Sequence, residues 1–188
     1  MPAMVPLDAP VIWMTTLREP IDRLVSSFHW WREQVWARPS LHVCHGYAKS
    51  MANNMSAAHW LAHVAPDNFV ARSLCGGARA WLRRSSSGRQ DGHTALLTCA
   101  LRRLNVFAVV MIVEFPEASA RMLAARLAWR NFSPILGSAS ANVRAASPST
   151  WAHDGPEQAA WLRAHANTTL LADQQLYTEA VRRLLAEY

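Results

Sequence analysis

The sequence is poor in lysine, cysteine and glycine, and it has no long apolar run. Lys49 is the sole lysine among 19 basic residues, so the positive charge is almost entirely arginine. Three cysteines, Cys44, Cys75 and Cys99, are too few and too scattered for a disulfide-dense scaffold. Cys75 and Cys99 flank a Ser-rich stretch and could pair in an oxidising lumen, a point that spacing alone leaves open. Seven glycines and ten prolines without a period exclude a collagen-like chain. No stretch of about 18 uncharged apolar residues is present, so no segment reads as a membrane-spanning helix. The first residues lack the basic region and apolar stretch of a signal peptide. Basic residues never gather in a block: Arg83-Arg84, Arg102-Arg103 and Arg182-Arg183 are isolated pairs, which weighs against nucleic-acid binding.

What is present suits one domain of 188 residues, 51% apolar and only 17% charged. That balance argues against disorder and against a solvated coiled coil. The formal charge of +6 permits an anionic partner such as a nucleic acid, a nucleotide or an acidic polymer. Arginine binds phosphate, sulfate and carboxylate through a planar fork of donors. A plain compositional preference for Arg and Ala accounts for the same excess.

Residues 1–10 are Pro-rich and read as a poorly ordered lead. Val11 to Leu17 is apolar and β-prone, and reads as a buried strand. It stops at Arg18-Glu19-Pro20, where proline suits a first helical position. Ile21, Leu24, Val25 and Phe28 then recur with the spacing of one helix face. Trp30, Trp31 and Trp36 crowd the far end of that helix. A second helix is expected over Ser50–Val64, a short one within Asp67–Gly77, and another over Thr94–Leu104. Phe107–Val113 is the strongest strand pattern, apolar throughout as in a strand covered on both faces. Pro116 opens a helix to about Trp129, repeating strand, turn, helix, the signature of an α/β layer fold. Exposed loops are expected at about 84–93 and 133–156. Asp173 is the expected N-cap of a closing helix. Leu176, Tyr177, Ala180, Val181, Leu184, Leu185 and Tyr188 form its apolar face.

The segment from Thr15 to Phe28 is the most informative. Arg18 falls where a parallel strand ends, at the sheet edge where α/β folds bind ligands. A helix N-terminus follows, with free backbone N–H groups and a positive dipole end. Ser26 lies about two turns into that helix and adds a hydroxyl donor. A guanidinium, helix amides and a serine can converge on one phosphate. A bare arginine–serine spacing matches many chains by chance; the fuller pattern is more specific.

A strand followed by Leu17-Arg18-Glu19-Pro20-Ile21-Asp22-Arg23-Leu24-Val25-Ser26 and an aromatic resembles the 3′-phosphate-binding motif of sulfotransferases, most of all the carbohydrate sulfotransferases of heparan-sulfate type. The resemblance implies that Arg18 and Ser26 bind the 3′-phosphate of PAPS (3′-phosphoadenosine 5′-phosphosulfate). Ser27 is one residue out of register. Asp67-Asn68-Phe69 through Arg72, Leu74 and Gly76 is similar to the family's next conserved stretch. Phe107–Leu123 looks like its late strand–helix unit. Asn167 through Asp173, Leu176-Tyr177 and Ala180 resembles its closing helix. The resemblance covers residues 11–188 and implies a P-loop NTPase-like sulfotransferase fold, with a parallel sheet flanked by helices. It implies PAPS as co-substrate, a carbohydrate hydroxyl as acceptor, with an acidic glycan among the candidates, and residence in the Golgi lumen or membrane.

The family's 5′-phosphosulfate loop precedes this motif, and no Gly- or Ser/Thr-rich loop stands among the residues before Val11. The reading is therefore an N-terminally incomplete sulfotransferase-like domain that does not catalyse transfer alone. No residue is assigned to the bridging oxygen or to proton removal. The alternative is a truncated or degenerate copy acting as a non-catalytic interaction module. No metal is expected. His59 and His63 have metal-compatible spacing without a third ligand nearby, and the same holds for His42, Cys44 and His45. The nine tryptophans suit core and interface packing. By the same resemblance Arg144 could close over the nucleotide from the late loop.

Overall fold

A computed structural model describes residues 12–37, 56–63, 65, 67–76, 90–128 and 155–187. Among the described residues there are two strands and seven helices. In chain order they are β1 (Met14–Leu17), α1 (Pro20–Ala37), α2 (Ala57–His63), α3 (Phe69–Gly76), α4 (Gln90–Leu104), β2 (Val109–Ile112), α5 (Pro116–Arg126), α6 (Gly155–His165) and α7 (Leu171–Glu187). The chain is thus α/β, with a parallel pair of strands in register from Met14↔Val109 to Leu17↔Ile112. Two bonds lengthen the ladder: the Ala108 N–H donates to the Trp13 carbonyl and the Val113 N–H to the Leu17 carbonyl, each at 2.9 Å.

The apolar residues gather in two clusters. The helical one joins Leu24, Val25 and Phe28 of α1 to Ala57, Trp60 and Leu61 of α2 and to Ala159 and Leu162 of α6. Phe28 is fully buried, and its ring meets that of Trp60 edge-on at 5.3 Å. The face read from the spacing of Ile21, Leu24, Val25 and Phe28 is the face that packs. The second cluster gathers Leu17, Ala71, Ala100, Leu104, Ile112, Ala118, Leu176, Ala180 and Leu184 around the strands. Within it Cys75 of α3 and Cys99 of α4 are joined as a disulfide.

Local chemistry explains the element ends. Pro116 opens α5, where a missing N–H costs nothing. Buried Ser119, in the next turn, accepts the Ile112 N–H at 2.8 Å and donates to the Ile112 carbonyl at 3.0 Å. It thereby takes both outward backbone groups of the last β2 residue. Ser56 accepts the His59 N–H at 3.2 Å and caps α2.

Several sequence expectations are corrected. Both strands are shorter than their apolar runs. Ile12, Trp13, Met14 and Thr16 are exposed, so β1 is not the buried strand expected: only Leu17 reaches the core, and Val113 is exposed just past the end of β2. The helix expected over Ser50–Val64 is Ala57–His63 among the described residues, and α5 ends at Arg126. Residues 90–93, assigned to a loop, are the first turn of α4; α4 is held by packing on α3 and by the disulfide, which override the local Asp91-Gly92 signal. Gly155 and Pro156, assigned to the late loop, begin α6, a helix the sequence reading lacks. Leu185 is exposed, although it falls within the apolar face assigned to α7. Residues 1–10, most of the loops at 84–93 and 133–156, and the side chains of Trp30, Trp31 and Trp36 lie outside what is described.

Candidate functional site

The site predicted from sequence lies at the carboxyl end of the two strands. Leu17 is buried and anchors β1; Arg18 follows it and is exposed. Pro20 is buried and begins α1, so the expected strand, turn and helix are in place. Arg18 forms no ion pair with any described residue. Ser26 is exposed on the side of α1 away from Leu24 and Phe28. The neighbouring Ser27 hydroxyl is turned inward and donates to the Arg23 carbonyl at 2.8 Å. One turn before Ser26, Asp22 pairs with Arg163 of α6 at 2.9 Å.

The start of α1 is partly capped from within, which narrows the expectation of an open helix N-terminus. Pro20 has no amide N–H. The Asp22 N–H donates to the Glu19 carboxylate at 2.6 Å, and the Arg23 N–H to the Glu19 carbonyl at 2.9 Å. Glu19 is thus the cap of its own helix. Its own N–H donates to the Glu114 carboxylate at 2.9 Å, and the second oxygen of Glu114 accepts the Tyr177 hydroxyl at 2.9 Å. Glu114 ties the turn after β1, the turn after β2, and α7 together. The Tyr177 phenol is pushed above its usual value, first by burial, then by its bond to Glu114 and the charges of Glu114, Glu19 and Asp22. The strand ends therefore carry one open arginine amid three carboxylates.

A second polar group lies inside the fold, and it is one that sequence reasoning missed as a unit. Helices α3 and α7 meet at their N-termini and cap each other. The Asp173 carboxylate accepts the Val70 N–H at 3.1 Å and the Ala71 N–H at 2.8 Å. The Asn68 side-chain carbonyl accepts the Ala172 N–H at 2.7 Å and the Asp173 N–H at 3.2 Å. Asp173 is therefore not the N-cap of its own helix, as the sequence suggested; that helix begins at Leu171, and its cap comes from Asn68 across space. Asn68 has a φ of 44°, a left-handed conformation that asparagine tolerates better than most residues. Arg23 of α1 completes the group, at 3.0 Å from Asp173 and with its guanidinium 4.9 Å from the centre of the Phe69 ring.

Charge in this interior group is balanced rather than free. Burial pushes the Asp173 carboxyl up, and the Ala71 amide, the Arg23 charge and the Val70 amide pull it back. Burial likewise lowers Arg23, whose Nε has no hydrogen-bond partner among the described residues, while Asp173 supports its charge. The arrangement positions three helices around a buried ion pair.

The remaining candidates gather nothing further. The His59 and His63 rings lie 4.3 Å apart on α2, and the described residues hold no group of three metal-ligating side chains. His42, Cys44, His45 and Arg144 lie outside the described residues. No described helix is long and apolar enough to cross a membrane. Fold and site define an α/β protein in which one strand–turn–helix presents an open arginine at the sheet edge. No family model, no curated protein and no solved structure matches the chain.

Proposed function

We propose that the chain is a sulfotransferase-like protein that holds the 3′-phosphate of PAPS, or of its product PAP, between Arg18 and Ser26. The observation that carries the reading is Arg18 itself. It is an exposed guanidinium at the carboxyl end of a parallel strand, uncommitted to any described acid, with an exposed serine about two turns along the helix that follows. The P-loop type of fold and the carbohydrate hydroxyl acceptor belong to the same reading. So does residence in the Golgi lumen, an oxidising setting that suits the Cys75–Cys99 bridge. The chain's part is nucleotide binding. Sulfuryl transfer needs charge stabilisation at the bridging oxygen and a base for the acceptor, and the reading assigns no residue to either.

Titration calorimetry with PAP tests this. The wild-type chain should bind, and Arg18→Ala should weaken binding about tenfold or more, the loss of one charge-assisted contact. Ser26→Ala should cost less. No heat from PAP at millimolar concentration, with folded protein by circular dichroism, overturns the reading.

One observation favours a second reading, an interaction module without a nucleotide. The carboxylates of Glu114 and Glu19 already take the Glu19 and Asp22 amides at the start of α1, and the Asp22 carboxylate stands beside them. Under that reading PAP does not bind, and Arg18→Ala changes nothing measurable with it.

A further inference from the structure

The two outer edges of the sheet are finished differently. On β2 the Ile112 N–H and carbonyl, which point away from β1, are both taken by the Ser119 hydroxyl, and α5 lies over that edge. On β1 the carbonyls of Trp13 and Leu17 point to β2. By the alternation of a strand, the backbone groups of Met14 and Thr16 point to the opposite edge. No hydrogen bond to them exists among the described residues. The strand's face is also open: Ile12 is 47% exposed, Trp13 59% and Met14 46%. Parallel strands are ordinarily covered on both faces, and sheets ordinarily have more than two strands.

This edge is short, at four residues, but from Ile12 to Leu17 it carries neither charge nor proline, two of the devices by which free edges avoid other chains. The same run is β-branched, aromatic and uncharged, and so complementary to itself. We propose that β1 pairs antiparallel with β1 of a second copy of the chain, forming a four-stranded sheet in the order β2, β1, β1 of the partner, β2 of the partner. Antiparallel pairing about a two-fold axis sends the two Arg18 side chains to opposite ends, so like charges do not meet. Growth beyond two copies would need the outer side of β2, where Ser119 of α5 already takes both backbone groups of Ile112. The proposal concerns the strand edge and does not depend on a ligand at Arg18.

A short strand pair buries less than the roughly 800 Å² per partner of a standard interface, so the dimer should be weak and reversible. Sedimentation velocity on the full chain, from about 1 to 200 µM, should show monomer passing to dimer, with a dissociation constant in the micromolar range. Trp13→Lys and Met14→Lys place a charge on the edge and should each raise that constant about tenfold or more. Both side chains are exposed, so the variants should keep the wild-type circular dichroism. Leu185→Lys, at an exposed apolar position on α7, should leave the constant unchanged. Hydrogen exchange at the Met14 and Thr16 amides should slow as concentration rises. A monomer throughout the range overturns the proposal. A dimer indifferent to Trp13→Lys and Met14→Lys overturns it too, as does a ladder of growing species in place of one dimer.

Discussion

Arg18 and Arg23 belong to the same strand–turn–helix and have opposite surroundings. Arg23 turns inward, where it meets a fully buried carboxylate and lies over an aromatic ring while α1 packs against the N-termini of α3 and α7. Arg18 stands in solvent with no described acid to hold it. The contrast teaches how to read an arginine-rich chain. The sequence counts both as positive charge, but Arg23's charge is spent inside the fold and is not offered to a partner. Only arginines of the Arg18 kind can answer for an anionic ligand.

The largest effect should come from breaking the interior member of this comparison. Asp173→Ala leaves Arg23 buried without its counter-charge and strips the Val70 and Ala71 amides of their cap. Removing one partner of a buried pair costs about 3–5 kcal/mol, a large part of the total for a domain of this kind. Chemical denaturation should show that loss. Asp173→Asn, which keeps an acceptor but not the charge, should fall between wild type and Asp173→Ala. Arg18→Ala supplies the contrast and should leave the denaturation midpoint where it is. Equal costs at the two positions would erase the distinction between them.

The Cys75–Cys99 bridge comes next, and it sharpens the comparison from the side of the helices. It fastens α3, whose N-terminus Asp173 caps, to α4, and it closes a loop with a sequence separation of 24. The chain-entropy account gives a loop of that size about 3 kcal/mol. Mass measurement after thiol alkylation, with and without prior reduction, should find these two cysteines blocked only after reduction. Cys75→Ser with Cys99→Ser should lower stability by that amount. If the double variant matches wild type, the interior group alone fixes α3.

Much of the exposed site was legible because its signals are local. Pro20, the spacing of Ile21, Leu24, Val25 and Phe28, and the apolar run before Arg18 specify strand, turn and helix within one short segment. Helix α6 was missed although its signals are local as well: Pro156 in the first turn, Glu157 beside it, and Ala159 and Leu162 one turn apart. They were hidden by their place behind a long Ser- and Ala-rich stretch. The interior group was not legible. Asp173 read as the cap of the helix next to it in sequence; instead it caps α3, which meets it in space, and Asn68 caps α7 in return. Nothing in local propensity reports such an exchange. The same holds for Glu114, whose bonds to the Glu19 amide and to Tyr177 reach across the chain.

The smallest effect concerns arginines that are paired yet exposed, a case between Arg23 and Arg18. On α7, Arg182 and Arg183 both bond Glu179, at 2.8 and 2.7 Å. The hydrogen bond from Arg182, then that from Arg183, holds the Glu179 carboxyl down to about 2. Its unfolded value is about 4.3. A carboxylate lowered by folding contributes stability that is fully present above the unfolded value and is lost as pH falls from there toward the folded one. Wild type should therefore exceed Glu179→Gln in stability near pH 6, and the two should converge as pH approaches 2. Because the cluster faces solvent, the difference at pH 6 should be small and should shrink further in salt. A salt-independent difference as large as that of Asp173→Ala would mean that burial is not what separates the arginines of this chain. The inward and outward positions on α1 would then need another explanation.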